Sequence, residues 1–217
     1  MKVLLVGLAS LIFVEPTFAQ GWQADSNNFS RTINTGYIGS NTRLFPNKNQ
    51  FIYKIEWSER NDNPCWFKAY STRLRSAIEE EQHVWRHDYL GSSAVASTCS
   101  KRNNSLKTVN LNFKGPSNWA YRSVIRVVNG IAVCTNNRNS YMQEKLKGIK
   151  VTSIEITSDG RIIDDSGSIK EERTNCKTWH EVAKCPSGQA AIGMHLQRSN
   201  YNNMSVFGVK LECAPLL

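Results

Sequence analysis

A four-residue word recurs along this chain: glycine, an apolar residue, any residue, an apolar residue. It stands at Gly130-Ile131-Ala132-Val133, Gly148-Ile149-Lys150-Val151, Gly193-Met194-His195-Leu196 and Gly208-Val209-Lys210-Leu211. Alternation of this kind has the period of a β-strand and sends the two apolar residues to one face. Glycine at a strand entry permits a bulge or a close backbone approach that a Cβ would block. The words come in two pairs flanked by cysteine: Cys134 follows the first, and Cys185 and Cys213 bracket the last two. The pattern reads as a duplicated β unit.

Other segments extend the β reading. Phe51 to Trp57 and Cys65 to Tyr70 read as strands, with Ser58 to Pro64 as a turn between them. Leu106 to Phe113 places apolar residues at 109, 111 and 113, the mark of a half-buried strand, and Gly115-Pro116-Ser117-Asn118 breaks it. Tyr121 to Val133 and Gly148 to Ile156 are rich in Val and Ile, and Asp159-Gly160 suits a hairpin turn. Residues 20–50 are polar and read as an irregular N-terminal arm. Thr72 to Tyr89 fits either a helix or a long polar hairpin. Close turn signals and about ten short strands predict an all-β fold, a repeat-built β-prism or a sandwich of short Greek-key strands, with room for one short helix.

The first nineteen residues have the form of a signal peptide: Lys2, an apolar run from Val3 to Val14, then Thr17-Phe18-Ala19. The mature chain is then residues 20–217, with a single β domain over 51–217. No other long apolar segment follows, so no transmembrane segment is expected. All six cysteines lie beyond residue 19, and an even count in an exported chain favours disulfides. Cys185 and Cys213 flank two adjacent glycine-led strands and are expected to pair; Cys134–Cys176 and Cys65–Cys99 are the further pairs expected. No Cys-x-x-Cys spacing suggests a metal. The formal net charge of +9 is compatible with an anionic partner surface or with solubility alone. The basic residues are scattered, densest at Lys101-Arg102 and around Lys145, Lys147 and Lys150.

Trp179, then Cys185-Pro186-x-Gly188, Gly193-Met194-x-Leu196 and Val209-x-Leu211-x-Cys213, resembles one repeat of the vitelline membrane outer layer protein I family. The resemblance is good over 176–213, partial over 124–151 and only compatible over 51–113. It implies three Greek-key sheets around a pseudo-threefold axis, and an extracellular, non-catalytic, glycan-associated role.

Candidate chemistry is sparse. His83 and His87 would share one face of a helix, but no third ligand is evident, so neither metal nor cofactor is expected. His195 occupies the polar slot of its word and reads as exposed. No Gly-x-Ser-x-Gly occurs, and the pairs Asp164-Asp165 and Glu171-Glu172 are each adjacent in sequence and read as lying in polar loops, unsuited to two carboxyls facing across a cleft. Aromatics are the better lead. Trp57, Trp66 and Trp179 read as packing residues, whereas Trp119, Tyr121, Arg122, Arg198 and Tyr201 lie beside Asn and Ser between the glycine-led strands and are the expected ligand-binding loop residues. The function expected is a secreted binding or structural module for carbohydrate or an anionic extracellular surface, with nucleic acid disfavoured by export. Alternatives are a basic toxin or defence protein acting on anionic cell surfaces, and a cell-wall polymer hydrolase. Oligomeric state is not legible, and the sequons at Asn28, Asn103 and Asn203 matter only where the host glycosylates.

Overall fold

The computed structural model describes residues 21–22, 24–47, 49–72, 74–79, 82–87, 93–101, 103–111, 124–136, 144–157, 161–198 and 205–217. Residues 1–20 lie outside them. In chain order the strands are β1 (Gly21–Trp22), β2 (Ser30–Arg31), β3 (Thr35–Gly36), β4 (Ser40–Leu44), β5 (Phe51–Arg60), β6 (Asn63–Thr72), β7 (Leu74–Glu79), β8 (Gln82–His87) and β9 (Ser93–Ser97). They continue as β10 (Lys107–Asn110), β11 (Val124–Thr135), β12 (Leu146–Thr157), β13 (Ile162–Glu172), β14 (Thr178–Trp179), β15 (Ala183–Lys184), β16 (Gln189–Arg198) and β17 (Val206–Pro215). Among the described residues the sole helical element is one 3-10 turn, Asn103–Ser105.

Three sheets each grow from one long hairpin. Sheet I has the order β10-β5-β6-β9; sheet II runs β13-β12-β11-β14, with β15 also beside β11; sheet III runs β2-β17-β16-β4, with β3 also beside β17. The three hairpins share one pairing frame. Lys54–Ser58 pairs with Trp66–Tyr70, Gly130–Cys134 with Gly148–Thr152, and Gly193–Gln197 with Gly208–Glu212. A register shift precedes each window (Ile52/Lys54, Val128/Gly130, Ala191/Gly193) and another closes it (Ser58/Glu59, Cys134/Thr135, Gln197/Arg198). Bulges at matching places bend matching strands, so these are three copies of one unit. β11 packs on β5, β16 and β17, and β16 on β5, which makes the sheets the three sides of a prism.

Strand alternation fills the interior. Ile55, Trp57, Phe67 and Ala69 from sheet I, Ile131, Val133, Ile149 and Val151 from sheet II, and Met194, Leu196, Val209 and Leu211 from sheet III belong to one buried cluster. In sheets II and III these are the two apolar letters of every glycine-led word. Each large aliphatic or aromatic side chain so buried contributes roughly 1.5–3 kcal/mol.

The glycines face outward, and each carries something. A Cβ on Gly193 would lie 2.3 Å from the Phe45 ring, one on Gly148 3.1 Å from Trp179 Cη2, and one on Gly130 3.1 Å from Val182 Cγ1. On Gly208 it would lie 2.1 Å from the backbone oxygen of Tyr37. Sheet I has Lys54 and Trp66 at the equivalent positions.

Three disulfides, Cys65–Cys99, Cys134–Cys176 and Cys185–Cys213, staple the sheets. Cys185–Cys213 is the pair expected from the two strands that its cysteines flank. At sequence separations of 34, 42 and 28 residues, each constrains the unfolded chain by about 3–4 kcal/mol. The β5–β6 turn is Asn61-Asp62, both in the left-handed region (φ 50° and 63°), as a tight hairpin turn requires. The fully buried Lys147 clamps it, its Nζ donating to Glu59 Oε2 (2.9 Å), Asp62 Oδ1 (2.6 Å) and Asp62 O (2.8 Å). Burial works to raise the Asp62 carboxyl, but the Lys147 ammonium overrides it and holds the group below the usual carboxylate range.

Two expectations are corrected here. Residues 20–50 are not an irregular arm: β2, β3 and β4 are built into sheet III. Asp164-Asp165 and Glu171-Glu172 lie not in loops but in β13. Of the two readings of Thr72 to Tyr89 the hairpin stands: β7 pairs with β8 in a small sheet β1-β7-β8, so the helical premise for His83 and His87 falls. The Asp159-Gly160 turn lies outside the described residues, between paired Ile156 and Ile162.

Gly208→Ala is expected to destabilise the protein by about 1–3 kcal/mol, because a methyl there meets a carbonyl that has nowhere to go. Ser168→Ala, on an exposed strand position, should stay within about 0.5 kcal/mol. Urea unfolding midpoints check both, and a Gly208→Ala loss no larger than that of Ser168→Ala contradicts the packing role.

Candidate functional site

With Ile131, Val133, Ile149 and Val151 inward, alternation turns Gly130, Ala132 and Cys134 of β11 and Gly148, Lys150 and Thr152 of β12 outward. The β12–β13 register sets Ser168, Lys170 and Glu172 beside Thr152, Lys150 and Gly148. The outer face of sheet II therefore reads in three rows: Gly130-Thr152-Ser168, Ala132-Lys150-Lys170, and Cys134-Gly148-Glu172.

The chain from Thr178 to Lys184 runs along the edge of β11 through β14 and β15. Its side chains lean back over the face, Trp179 onto Gly148 and Val182 onto Gly130. Between them the methyl of Ala132 leaves an open cleft of about 450 Å³, lined by Ala132, Lys150, Ser168, Lys170, Trp179, His180 and Val182. The small outward residues of β11 make the space, and the crossing segment supplies the walls.

Each wall is fixed. Trp179 Nε1 donates to Glu172 Oε2 (3.1 Å), and Lys170 Nζ donates to Glu172 Oε1 (3.4 Å). The Cys134–Cys176 disulfide anchors the segment, and the backbone N–H groups of Lys177 and His180 donate to Thr135 O and Val133 O. His180 Nε2 lies 3.0 Å from Thr135 Oγ1, and the Tyr37 ring stands edge-on to the imidazole at 5.5 Å. Tyr37 is itself held by its O–H to Glu144 Oε1 (3.0 Å). Partial burial, and then this carboxylate, raise the Tyr37 phenol above its ordinary range. An indole, two ammonium groups, an imidazole and a hydroxyl thus line one concave, solvent-facing space, with no carboxylate in its lining among the described residues.

The equivalent places on the other two sides are filled. On sheet III, Phe45 covers Gly193 and stands edge-on to His195 at 5.8 Å. Glu212 is bonded there by His195 Nε2 (3.0 Å), Arg31 Nε (3.3 Å) and Arg43 (3.5 Å). On sheet I, Glu56 takes the Lys54 ammonium (2.8 Å) and the Tyr70 O–H (2.9 Å). Lys54 and Lys68 sit on the Tyr70 ring at 4.2 and 4.4 Å, and Lys101 on Trp66 at 5.5 Å.

No protein-family model and no curated protein sequence matches this chain. Among solved structures it is similar to the Calystegia sepium agglutinin, at 14% identity and a TM-score of 0.49, over 86% of this chain and 96% of that one. It is similar also to AcmJRL, a mannose-binding jacalin-related lectin from Ananas comosus (9% identity, TM-score 0.42, 86% and 98% covered). A third is frutalin from Artocarpus incisa (8%, 0.37, 86% and 96%). Identities this low transfer no residue's role.

The site foreseen from sequence and the cleft differ. Trp119, Tyr121, Arg122 and Tyr201 lie outside the described residues. Arg198 is not a loop residue: it ends β16 and is buried, with Nε donating to Thr42 Oγ1 (2.9 Å). Trp57 and Trp66 are buried, but Trp179 is only half-buried and faces outward. His195 is not exposed; it is 4% accessible under Phe45. Sequence reasoning passed over Lys150, Lys170 and His180, although Lys150 is the free letter of its word, and that letter faces outward.

Burial lowers the affinity of His195 for a proton, outweighing the pull of Glu212, and Lys210 and Arg31 add to the effect. A folded-state value below the unfolded one near 6.5 makes the neutral ring a source of stability above that pH, lost as pH falls through the folded value. Stability is therefore expected to decline from pH 7 towards pH 5. His195→Gln should flatten that decline in chemical unfolding curves recorded at each pH, and an unchanged slope contradicts this reading.

Proposed function

We propose that this chain is a secreted, non-catalytic carbohydrate-binding module whose ligand site is the cleft on the outer face of sheet II. One observation carries the reading: Trp179 is held over Gly148 by its bond to Glu172, half-open to solvent, among donors that can reach sugar hydroxyls. An aromatic ring offers an apolar surface to the C–H face of a pyranose, and fixed polar groups around it supply direction. A preorganised ring loses little freedom on binding.

Several features agree. Three disulfides suit an oxidising compartment, and the signal-like form of the first nineteen residues is in keeping with one. The cleft lining includes Ser168, Lys150, Lys170 and His180 as donors. Among the described residues its lining holds no pair of carboxyls set about 5–9 Å apart across a bond, as glycoside hydrolysis needs, and we favour binding over a hydrolase.

Trp179→Ala is expected to weaken oligosaccharide binding by at least about thirtyfold, the loss typical of a central aromatic contact. Its disulfides and melting temperature should be largely retained. Titration of an immobilised glycan panel with the parent chain, Trp179→Ala, Trp119→Ala and Tyr201→Ala decides between the cleft and the loops. Loss confined to Trp119→Ala or Tyr201→Ala places the ligand on the loops and overturns the assignment.

A further inference from the structure

We infer that this cleft is built for an acidic saccharide, one carrying carboxylate or sulfate groups; the inference rests on reading the cleft as a sugar site.

At the centre of each outer face the shared pairing frame places a lysine on the second hairpin strand: Lys68, Lys150 and Lys210. Lys68 lies opposite Glu56 and packs on the Tyr70 ring. Lys210 lies opposite His195, beside Glu212. On those two sides a carboxylate belongs to the same patch and is already bonded by neighbouring cations and hydroxyls.

Sheet II differs. Lys150 lies opposite Ala132 on one side and opposite Lys170 on the other. Like charges directly opposed on adjacent strands destabilise a sheet. Among the described residues Lys150 has neither hydrogen bond nor ion pair, although its side chain is half-buried. The nearby carboxylate, Glu172, has one oxygen on the indole N–H and the other on Lys170. The cleft thus holds two ammonium groups against one shared carboxylate at its rim, beside a ring suited to a sugar face. A neutral sugar would leave Lys150 half-desolvated without a counter-charge. A carboxylate or sulfate seated between Lys150 and Lys170 would relieve their repulsion and form charge-assisted hydrogen bonds, the stronger kind. The net charge of +9 would draw such a ligand in from a distance.

The test uses the full mature chain at fixed ionic strength, titrated calorimetrically with an oligogalacturonate, a sulfated galactan oligomer and a neutral galactan oligomer of equal length. At least one acidic oligomer is expected to bind about tenfold or more tightly than the neutral one, as one charge-assisted bond implies. The uronate and sulfate arms identify the anionic group. Lys150→Gln should remove most of that preference, weakening acidic binding far more than neutral binding, while the loss caused by Trp179→Ala persists, and Lys150→Arg should keep the preference. Lys150→Gln should also leave the melting temperature equal or slightly higher, because it removes a repulsion. Equal binding of neutral and acidic oligomers, unaffected by Lys150→Gln but lost in Trp179→Ala, overturns the acidic preference and leaves the sugar site standing. Failure of every oligomer to bind, or binding only to phosphatidylserine vesicles, overturns both readings.

Discussion

The exclusion of Cβ atoms from the outer faces is the constraint on which this structure depends. In sheets II and III a segment outside the central hairpin lies directly on a glycine: Trp179 on Gly148, Val182 on Gly130, Phe45 on Gly193, the Tyr37 carbonyl on Gly208. Each glycine is also the first letter of a word whose apolar letters fill the prism interior. One short pattern thus sets both faces of a strand, packing inward and acceptance of a covering segment outward. The covering segments are not passive. Where they close over the face, as Phe45 does, the outer surface is sealed by ion pairs; where Trp179 and Val182 leave a gap over Ala132, a cleft opens.

Much of the fold was legible because the word is local. Four consecutive residues reveal strand, inward face and bulge together, which located both hairpins of sheets II and III and the pairing of Cys185 with Cys213. The first copy was hidden. Lys54 and Trp66 replace its two glycines, although its pairing frame and bulges are those of the other two. Lys54 and Trp66 point outward, so the interior alternation survives without the glycine signal. The N-terminal strands were missed because two-residue strands such as Ser30–Arg31 and Thr35–Gly36 carry no periodicity; their partners in β17 lie far along the chain.

The site was less legible, for a related reason. Whether a polar letter of a word faces water depends on what covers it, and the cover comes from distant sequence. His195 reads as exposed until Phe45 is placed over its row, and Trp179 reads as core until Gly148 is found beneath it. Charge shows the same effect. Lys147 and Lys150 are three residues apart in one basic cluster, yet Lys147 is wholly buried in a clamp on Glu59 and Asp62 while Lys150 opens into the cleft with no counter-ion among the described residues. Composition counts both as surface cations, and only the fold separates them.

Ligand contact is proposed on the face of sheet II between the crossing segment and β13. The most direct measurement is a nuclear magnetic resonance titration of the isotope-labelled chain with an acidic oligosaccharide, following the indole N–H of Trp179 and the backbone amides of Lys150, Ser168 and Lys170. The prediction is saturable shifts concentrated at these four residues and at His180, with the resonances of the Phe45, His195 and Glu212 cluster on sheet III unmoved. Shifts confined to residues 112–123 and 199–204, with Trp179 and Lys150 silent, would contradict it.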